Sequence, residues 1–302
     1  MREVSDYLIL RPEKRELEDE ELPLVSFVIP VRNAERTIRK CLESIFGQDY
    51  PRIEVLVIDN GCTDGTMRIA SEFSIRAYAL PHKTYGECVL FGIREARGEL
   101  VVVFDGDMML PHERWLRNAV CKLMAHGDAS TLYTPNIPPP GASSFTQFYT
   151  DLARLIVMDR MRRSAGVFGG GGGSMIRRAC ILSVMPTAVP ADGVDFVLAR
   201  RLKEGGWKVV VNDEPVLHDT RASLKEWIRK EIRRSRIFVR HGVTNILGLS
   251  LNEVLYEQLV LPLRNLPKKL FVEKRPCWAL LPLFLAVRII AYGLVSLSHL
   301  RG

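Results

Sequence analysis

Two spacings of apolar residues alternate along the first third of the chain. Apolar runs of strand length occupy residues 24–30, 53–58 and 100–104, with a shorter one at 76–80. Runs of this kind, bounded by turn residues, read as strands buried on both faces. Between the first two runs, Ile38, Cys41, Leu42, Ile45 and Phe46 recur at steps of three and four, the pattern of one helix face. A second helix opens out of the polar turn at 59–66 and runs to Phe73, and a third covers 85–96 and stops at Gly98. Strand and helix in strict alternation predict βαβ units, right-handed crossovers and a parallel sheet.

The later pattern is less regular. A helix is expected from Pro111 to about His126, a strand at 131–135, a proline-rich loop at 136–141 and a helix at 145–163. Five consecutive glycines, Gly169–Gly173, follow. Such a run permits positive φ and close backbone approach to a ligand, and it reads equally well as a plain flexible loop. Residues 174–178 resume as a strand or short helix. Asp192 is placed to N-cap the next helix, with Asp195 in its first turn. Gly205 and Gly206 end it, and 207–211 is a strand. His218 falls in the loop beyond, where a lone histidine is usually just solvated.

The ends differ from the middle. Residues 1–22 are polar and acidic and read as a mobile or loosely docked leader, without the apolar core of a signal peptide. Residues 222–240 read as a basic helix with Leu224, Trp227, Ile228 and Ile232 on one side. Residues 246–263 are apolar with Glu253 and Glu257, and 277–300 are nearly all apolar apart from Pro282, Arg288 and Gly293. The halves flanking Arg288 fall short of the roughly 18–20 residues of a spanning helix, and a central arginine costs at least about 2.5 kcal/mol in a bilayer. A membrane-surface or hairpin segment is therefore expected; a helix buried against the domain or a partner is the competing reading. The boundaries predicted are a leader at 1–22, a catalytic domain at 23–220 and a C-terminal helical segment at 221–302.

Charge sharpens this division. The 302 residues carry a formal net charge of +7. Residues 1–21 hold four basic and eight acidic residues, whereas 221–245 hold eight basic and two acidic. The basic patch suggests an anionic surface or a phosphate-rich ligand; no motif supports nucleic acid. The six cysteines show neither Cys-x-x-Cys spacing nor clustering with histidine, which disfavours a disulfide framework or a zinc site.

The candidate chemistry sits at the end of the run at 100–104, where Asp105 and Asp107 flank Gly106. Ligands of open α/β sheets bind beyond the carboxyl ends of the strands. Two carboxylates this close repel unless a cation lies between them, and a hard divalent ion that also holds phosphates is the natural partner. Asp-Gly-Asp alone is also ordinary turn chemistry. The turns at 30–35 and 59–66 likewise follow strands, so all three should converge on one rim.

In this order the motifs resemble the family 2 glycosyltransferases of the GT-A (Rossmann-like) fold. Residues 28–33 (Val-Ile-Pro-Val-Arg-Asn) look like the family's first strand and turn, 57–66 like its second turn, Gly86 to Glu99 like the helix before its DxD motif, Asp105–Asp107 like that motif, and Val194-Asp195 like its "ED" position. The resemblance covers about 23–220. It implies a nucleoside-diphosphate sugar donor and Mn²⁺ or Mg²⁺. Pro30, Val31, Asn33, Asp59, Asn60, Asp105 and Gly106 would then bind the nucleotide-sugar and Asp107 the metal, with His218 beside it. Asp195 would be the general base, and Gly170, Gly171 and Gly172 would form the acceptor loop. Asn60 and Val194 depart from the family's usual aspartate and glutamate, and the Gln-x-x-Arg-Trp motif of processive synthases is absent. The expectation is a metal-dependent, inverting, single-addition transferase at the cytoplasmic face of the cell membrane, peripheral or C-terminally anchored, with a lipid-linked or glycan acceptor. A sugar-phosphate nucleotidyltransferase, or a non-catalytic nucleotide-sugar-binding relative, are the alternatives.

Overall fold

The structure, a computed structural model, describes residues 9–10, 16–163, 172–187, 194–220, 225, 227–229, 231, 232, 235 and 250–300. Gly170, Gly171 and Asp192, and most of the basic stretch at 221–245, lie outside these residues. Two compact units are present: one of residues 1–137 and 160–218, the other of 138–159 and 219–302.

The first unit is built on an eight-stranded, mostly parallel sheet. In chain order its strands are β1 (Ile9–Leu10), β2 (Val25–Val31), β3 (Ile53–Asp59), β4 (Arg76–Ala79), β5 (Leu100–Val103), β7 (Ala129–Tyr133), β9 (Met175–Arg177) and β10 (Lys208–Val211). Their spatial order is β1-β10-β7-β9-β5-β2-β3-β4. Every pairing is parallel except those of β9, which runs antiparallel between β5 and β7. A second sheet of three short strands, β6 (Met108–Met109), β8 (Asn136–Ile137) and β11 (Val216–His218), has the order β6-β11-β8.

All seven residues of β2 are buried. Phe27 and Ile29 pack on the side of Ile38, Leu42, Ile45 and Trp115. Val28 faces the other way, with Cys88, Val89 and Ile93. This two-sided burial is why the run shows no alternation. The helices that cover the sheet are α1 (Ile38–Phe46), α2 (Thr66–Ala70), α3 (Tyr85–Glu95), α4 (Trp115–Met124), α6 (Arg178–Ser183) and α7 (Val194–Glu204), with α5 (Ser144–Arg163) between α4 and α6 in the chain.

Gly92 lets α3 approach the sheet closely. A Cβ there would lie 2.2 Å from Val28 Cγ1 and 3.3 Å from the rest of that side chain. Gly92→Ala gains up to about 1 kcal/mol of helix propensity, but overpacking against a β-branched strand residue costs about 1–3 kcal/mol. The contact is far inside van der Waals distance, so the clash wins and the denaturant midpoint is expected to fall.

Where it is described, the leader is docked. β1 adds a parallel strand to the sheet edge beside Val209 and Val210. Leu17 and Leu22 are buried, and Asp19 pairs with Arg117 at 2.6 Å. Two apolar residues in an acidic stretch therefore dock it.

The second unit has its own aromatic core of Phe148, Trp227, Trp278 and Phe284. Residues 251–272 run as one helix in which α turns, Leu251–Leu255 and Leu261–Pro267, alternate with π turns, Tyr256–Val260 and Lys268–Val272. After a 3₁₀ turn at Pro276–Leu280 the last helix covers Leu281–Leu300. Among the described residues no helix is long and apolar enough to cross a membrane.

Candidate active site

The turn after β2 and the turn after β3 are bonded to each other. Asn60 N donates to the Val31 carbonyl at 2.9 Å, Ala34 N to Thr66 Oγ1 at 2.8 Å, and Thr63 N to Asn33 Oδ1 at 2.8 Å. Asn33 adopts φ +56°, a left-handed conformation that asparagine tolerates better than most residues. Asp59 Oδ1 accepts from Cys62 N, three residues on, at 2.7 Å, and so closes the second loop. Asn60 Oδ1 is buried without a hydrogen-bond partner. An orphaned buried acceptor costs about 1–3 kcal/mol. Pro30 and Val31 are the last residues of β2, paired with Ile58 and Asp59.

The turn after β5 meets the first of these. A Cβ on Gly106 would lie 3.1 Å from Val31 Cγ1 and 3.3 Å from Ala34 Cβ. Beneath it the buried Cys41 thiol donates to the Asp105 carbonyl at 3.6 Å. Burial first, and then Asp107 and Asp105, push this thiol well above its ordinary pKa, so it stays protonated. The three turns thus converge on one rim, as the strand pattern predicts.

His218 corrects the sequence reading. It lies on β11, not in a solvated loop, because β11 pairs antiparallel with β6 and sets His218 opposite Met108. That register brings His218 Nε2 to 3.2 Å from Asp107 Oδ1. Asp105, Asp107 and His218 each offer a ligand atom, all within 4.8 Å of one another. Two carboxylates and one imidazole are a donor set that suits a divalent cation. The turn leading into β11 is anchored from below: the buried Lys122 donates to Asn212 Oδ1 at 3.1 Å and Glu214 Oε1 at 2.7 Å, and also pairs with Asp213. Trp115 Nε1 donates to the Glu214 carbonyl at 3.0 Å.

Tyr85 was not singled out from the sequence. Its hydroxyl donates to Asp105 Oδ1 at 2.7 Å. The residue opens α3, whose N-terminus is set by a capping box between Thr84 and Glu87. That box is legible locally; what Tyr85 faces is not. The ring remains 38% exposed, so desolvation acts on its hydroxyl end. Desolvation, then Asp105, and more weakly Asp195 and Asp107, hold the phenol well above its usual pKa. The hydroxyl is therefore a donor at neutral pH, and Asp195 lies within electrostatic reach of it.

Asp195 is half-buried in the first turn of α7. Val194 before it is 3% exposed and packs with Leu198 and Leu202, so this position contributes to the core and offers no ligand atom. Gly172 lies against the acidic pair: a Cβ there would be 2.8 Å from Met108 Sδ and 3.1 Å from Asp105 Oδ2. The next residue, Gly173, has φ +87° and donates to the Val103 carbonyl at 2.8 Å.

With this geometry the chain can be set beside known proteins. The family described as "Glycosyl transferase family 2" matches residues 26–181, just over half of the chain. The protein belongs to that family. "Glycosyltransferase AglE" of Haloferax volcanii is 38% identical over 115 residues, 35% of this chain and 37% of that protein. That match spans little more than a third of the relative's length. A Methanococcus voltae protein, "Dolichyl N-acetyl-alpha-D-glucosaminyl phosphate 3-beta-D-2,3-diacetamido-2,3-dideoxy-beta-D-glucuronosyltransferase", is 26% identical over 259 residues, 74% of this chain and 77% of its own. Among solved structures, "Mannosyltransferase PcManGT from Pyrobaculum calidifontis in complex with GDP-Man and Mn2+" superimposes with a TM-score of 0.59 at 20% identity, covering 93% of this chain and 88% of its own. Glucosyl-3-phosphoglycerate synthase from Mycobacterium tuberculosis, with Mn²⁺, UDP and phosphoglyceric acid, gives 0.56 at 19% identity, covering 81% and 87%. The fold is therefore the mixed α/β, GT-A-like one, with a mostly parallel central sheet and flanking helices.

Proposed function

We propose that this family 2 glycosyltransferase moves one sugar, with inversion, from a nucleoside-diphosphate donor to an acceptor hydroxyl or phosphate that is lipid-linked or part of a glycan. The observation that carries this reading is the meeting of Asp105, Asp107 and His218 at the carboxyl end of β5, within one rim with the Asn33, Asp59 and Asn60 turns. Those three residues would hold Mn²⁺ or Mg²⁺, which when bound supplies charge neutralisation for the departing diphosphate.

The chain's own groups supply the rest. Asp59 offers an acceptor to a nucleobase with Asn60 beside it, and the Pro30–Asn33 turn bounds its pocket. Tyr85 keeps Asp105 in one orientation. Asn136 Nδ2 lies 3.5 Å from His218 Nδ1, while Asn136 Oδ1 is buried and unbonded. Rotation of that amide would let Oδ1 accept from Nδ1–H and leave Nε2 free as a ligand, the usual outer support of a metal-bound histidine. Asp195 accepts the proton of the acceptor hydroxyl as its oxygen bonds to the anomeric carbon and the bond to the diphosphate oxygen breaks. Gly172, with Gly170 and Gly171 before it, flanks the acceptor. One base and no second nucleophile fit single displacement, and a lipid-linked acceptor would hold the enzyme at the cytoplasmic face of the membrane as a peripheral protein.

Calorimetric titration with UDP, GDP, dTDP and CMP, each with and without Mn²⁺, tests the donor site. One diphosphate is expected to bind only with the cation. If the folded protein binds none of the four, the transferase reading fails.

A further inference from the structure

The second unit reverses the usual placement of charge. Glu231 and Glu257 are 0% exposed and Arg288 is 8% exposed. Arg288 Nε donates to Glu231 Oε2 at 3.0 Å, and its guanidinium also reaches Gln258. Asp151, likewise buried, accepts from Arg275 Nε at 2.9 Å and Trp278 Nε1 at 3.3 Å. Outside, Phe271 and Val272 are 78% and 72% exposed, and Ile289 and Ile290 are 63% and 58% exposed.

The last helix makes the reversal periodic. Pro282, Leu283, Ala286, Ile289 and Ile290 form an exposed stripe at steps of three and four, with no polar residue in it. The opposite stripe, Leu281, Phe284, Arg288 and Ala291, is buried. A water-facing helix has the reverse arrangement. Every described large hydrophobic residue more than 40% exposed, from Leu255 to Ile290, belongs to this unit.

The geometry points to this surface as one that sits in the headgroup and acyl boundary of an anionic bilayer, without crossing it. Charge chooses the occupant. Arg264, Lys268 and Lys274 are exposed around Phe271 and Val272; the neighbouring Glu273 pairs with Lys269 at 2.5 Å and with Lys268 at 3.8 Å, so cations outnumber carboxylates on this surface. A second copy of the chain docking by two-fold symmetry would set these cations against their own counterparts. Anionic headgroups would neutralise them while the acyl boundary accepts the apolar side chains. Among the described residues no helix is long and apolar enough to cross a membrane, and a buried arginine within the last helix is costly at the bilayer centre, which favours interfacial insertion.

The test is flotation of the full chain with vesicles of phosphatidylcholine alone, or of phosphatidylcholine with phosphatidylglycerol as about a third of the lipid. The expected result is binding to the anionic vesicles, at least about tenfold stronger than to the neutral ones and weakened by salt. The double substitution Phe271→Ser, Val272→Ser removes two highly exposed side chains, so folding is retained, and partition should fall about tenfold or more. Absence of flotation with anionic vesicles, or undiminished flotation of the variant, overturns the proposal. So does a concentration-dependent dimer of the wild type, by light scattering, that the variant abolishes. Nucleotide titration on the same samples is independent of this surface, so the two readings can fail separately.

Discussion

Asp195→Asn is expected to lower turnover by about 10²–10⁴-fold, the usual contribution of a positioned general base, while donor binding stays unchanged. The substitution keeps the size of the side chain and removes its charge and its basicity. A structural role makes a different prediction. In the first turn of α7 the carboxylate also complements the helix dipole, a contribution of about 0.3–1 kcal/mol, so the asparagine variant would then melt slightly earlier with activity intact. Steady-state kinetics alongside thermal melting separates the two, and unchanged kcat sinks the assignment of Asp195 as base. A pH profile adds a check: wild-type kcat should rise through the ionisation of one carboxyl group, and that limb should vanish in the variant.

Asp107→Ala is expected to abolish cation-dependent nucleotide binding. Loss of an outer supporting group already weakens metal affinity by about 10–100-fold, and Asp107 would be a direct ligand, so a loss of at least about a hundredfold follows. Little stability should be lost with it. The contact of Asp107 with His218 is partly solvated, with side chains 34% and 19% exposed, and such pairs contribute about 0–1 kcal/mol. Titration of the nucleotide with Mn²⁺ at constant far-ultraviolet dichroism is the measurement. Retained affinity in a folded variant would remove Asp107 from the metal site.

The parallel half of the fold was legible because its signals are local. Seven consecutive buried residues in β2 and four in β5 leave continuous apolar runs, and the turns that follow them carry the polar residues. The rest depended on pairings that no window of sequence contains. The strands β6, β8 and β11 are two or three residues long, too short for a periodicity, and the second sheet exists only through their mutual register. His218 therefore read as a solvated loop residue from its surroundings, and only the family resemblance set it beside the metal motif. The same limit applied to β9, whose segment read as strand or helix and proves to be both, Met175–Arg177 followed by α6. Helix α5 was found, but not that residues 138–159 pack with the C-terminal unit. The apolar tail was visible as composition; which side of it carries charge was decided by the Arg288–Glu231 pair.

The reversed direction of β9 has a consequence for the site. Because Met175 lies opposite Val102, the strand begins at the end of the sheet where Asp105 emerges, and Gly172 and Gly173, which lead into it, arrive beside Met108. A strand running parallel in the same slot would be entered from the opposite end of the sheet, and its leading residues would lie a strand's length from the carboxylates. The polarity of one three-residue strand thus decides which backbone borders the acidic turn.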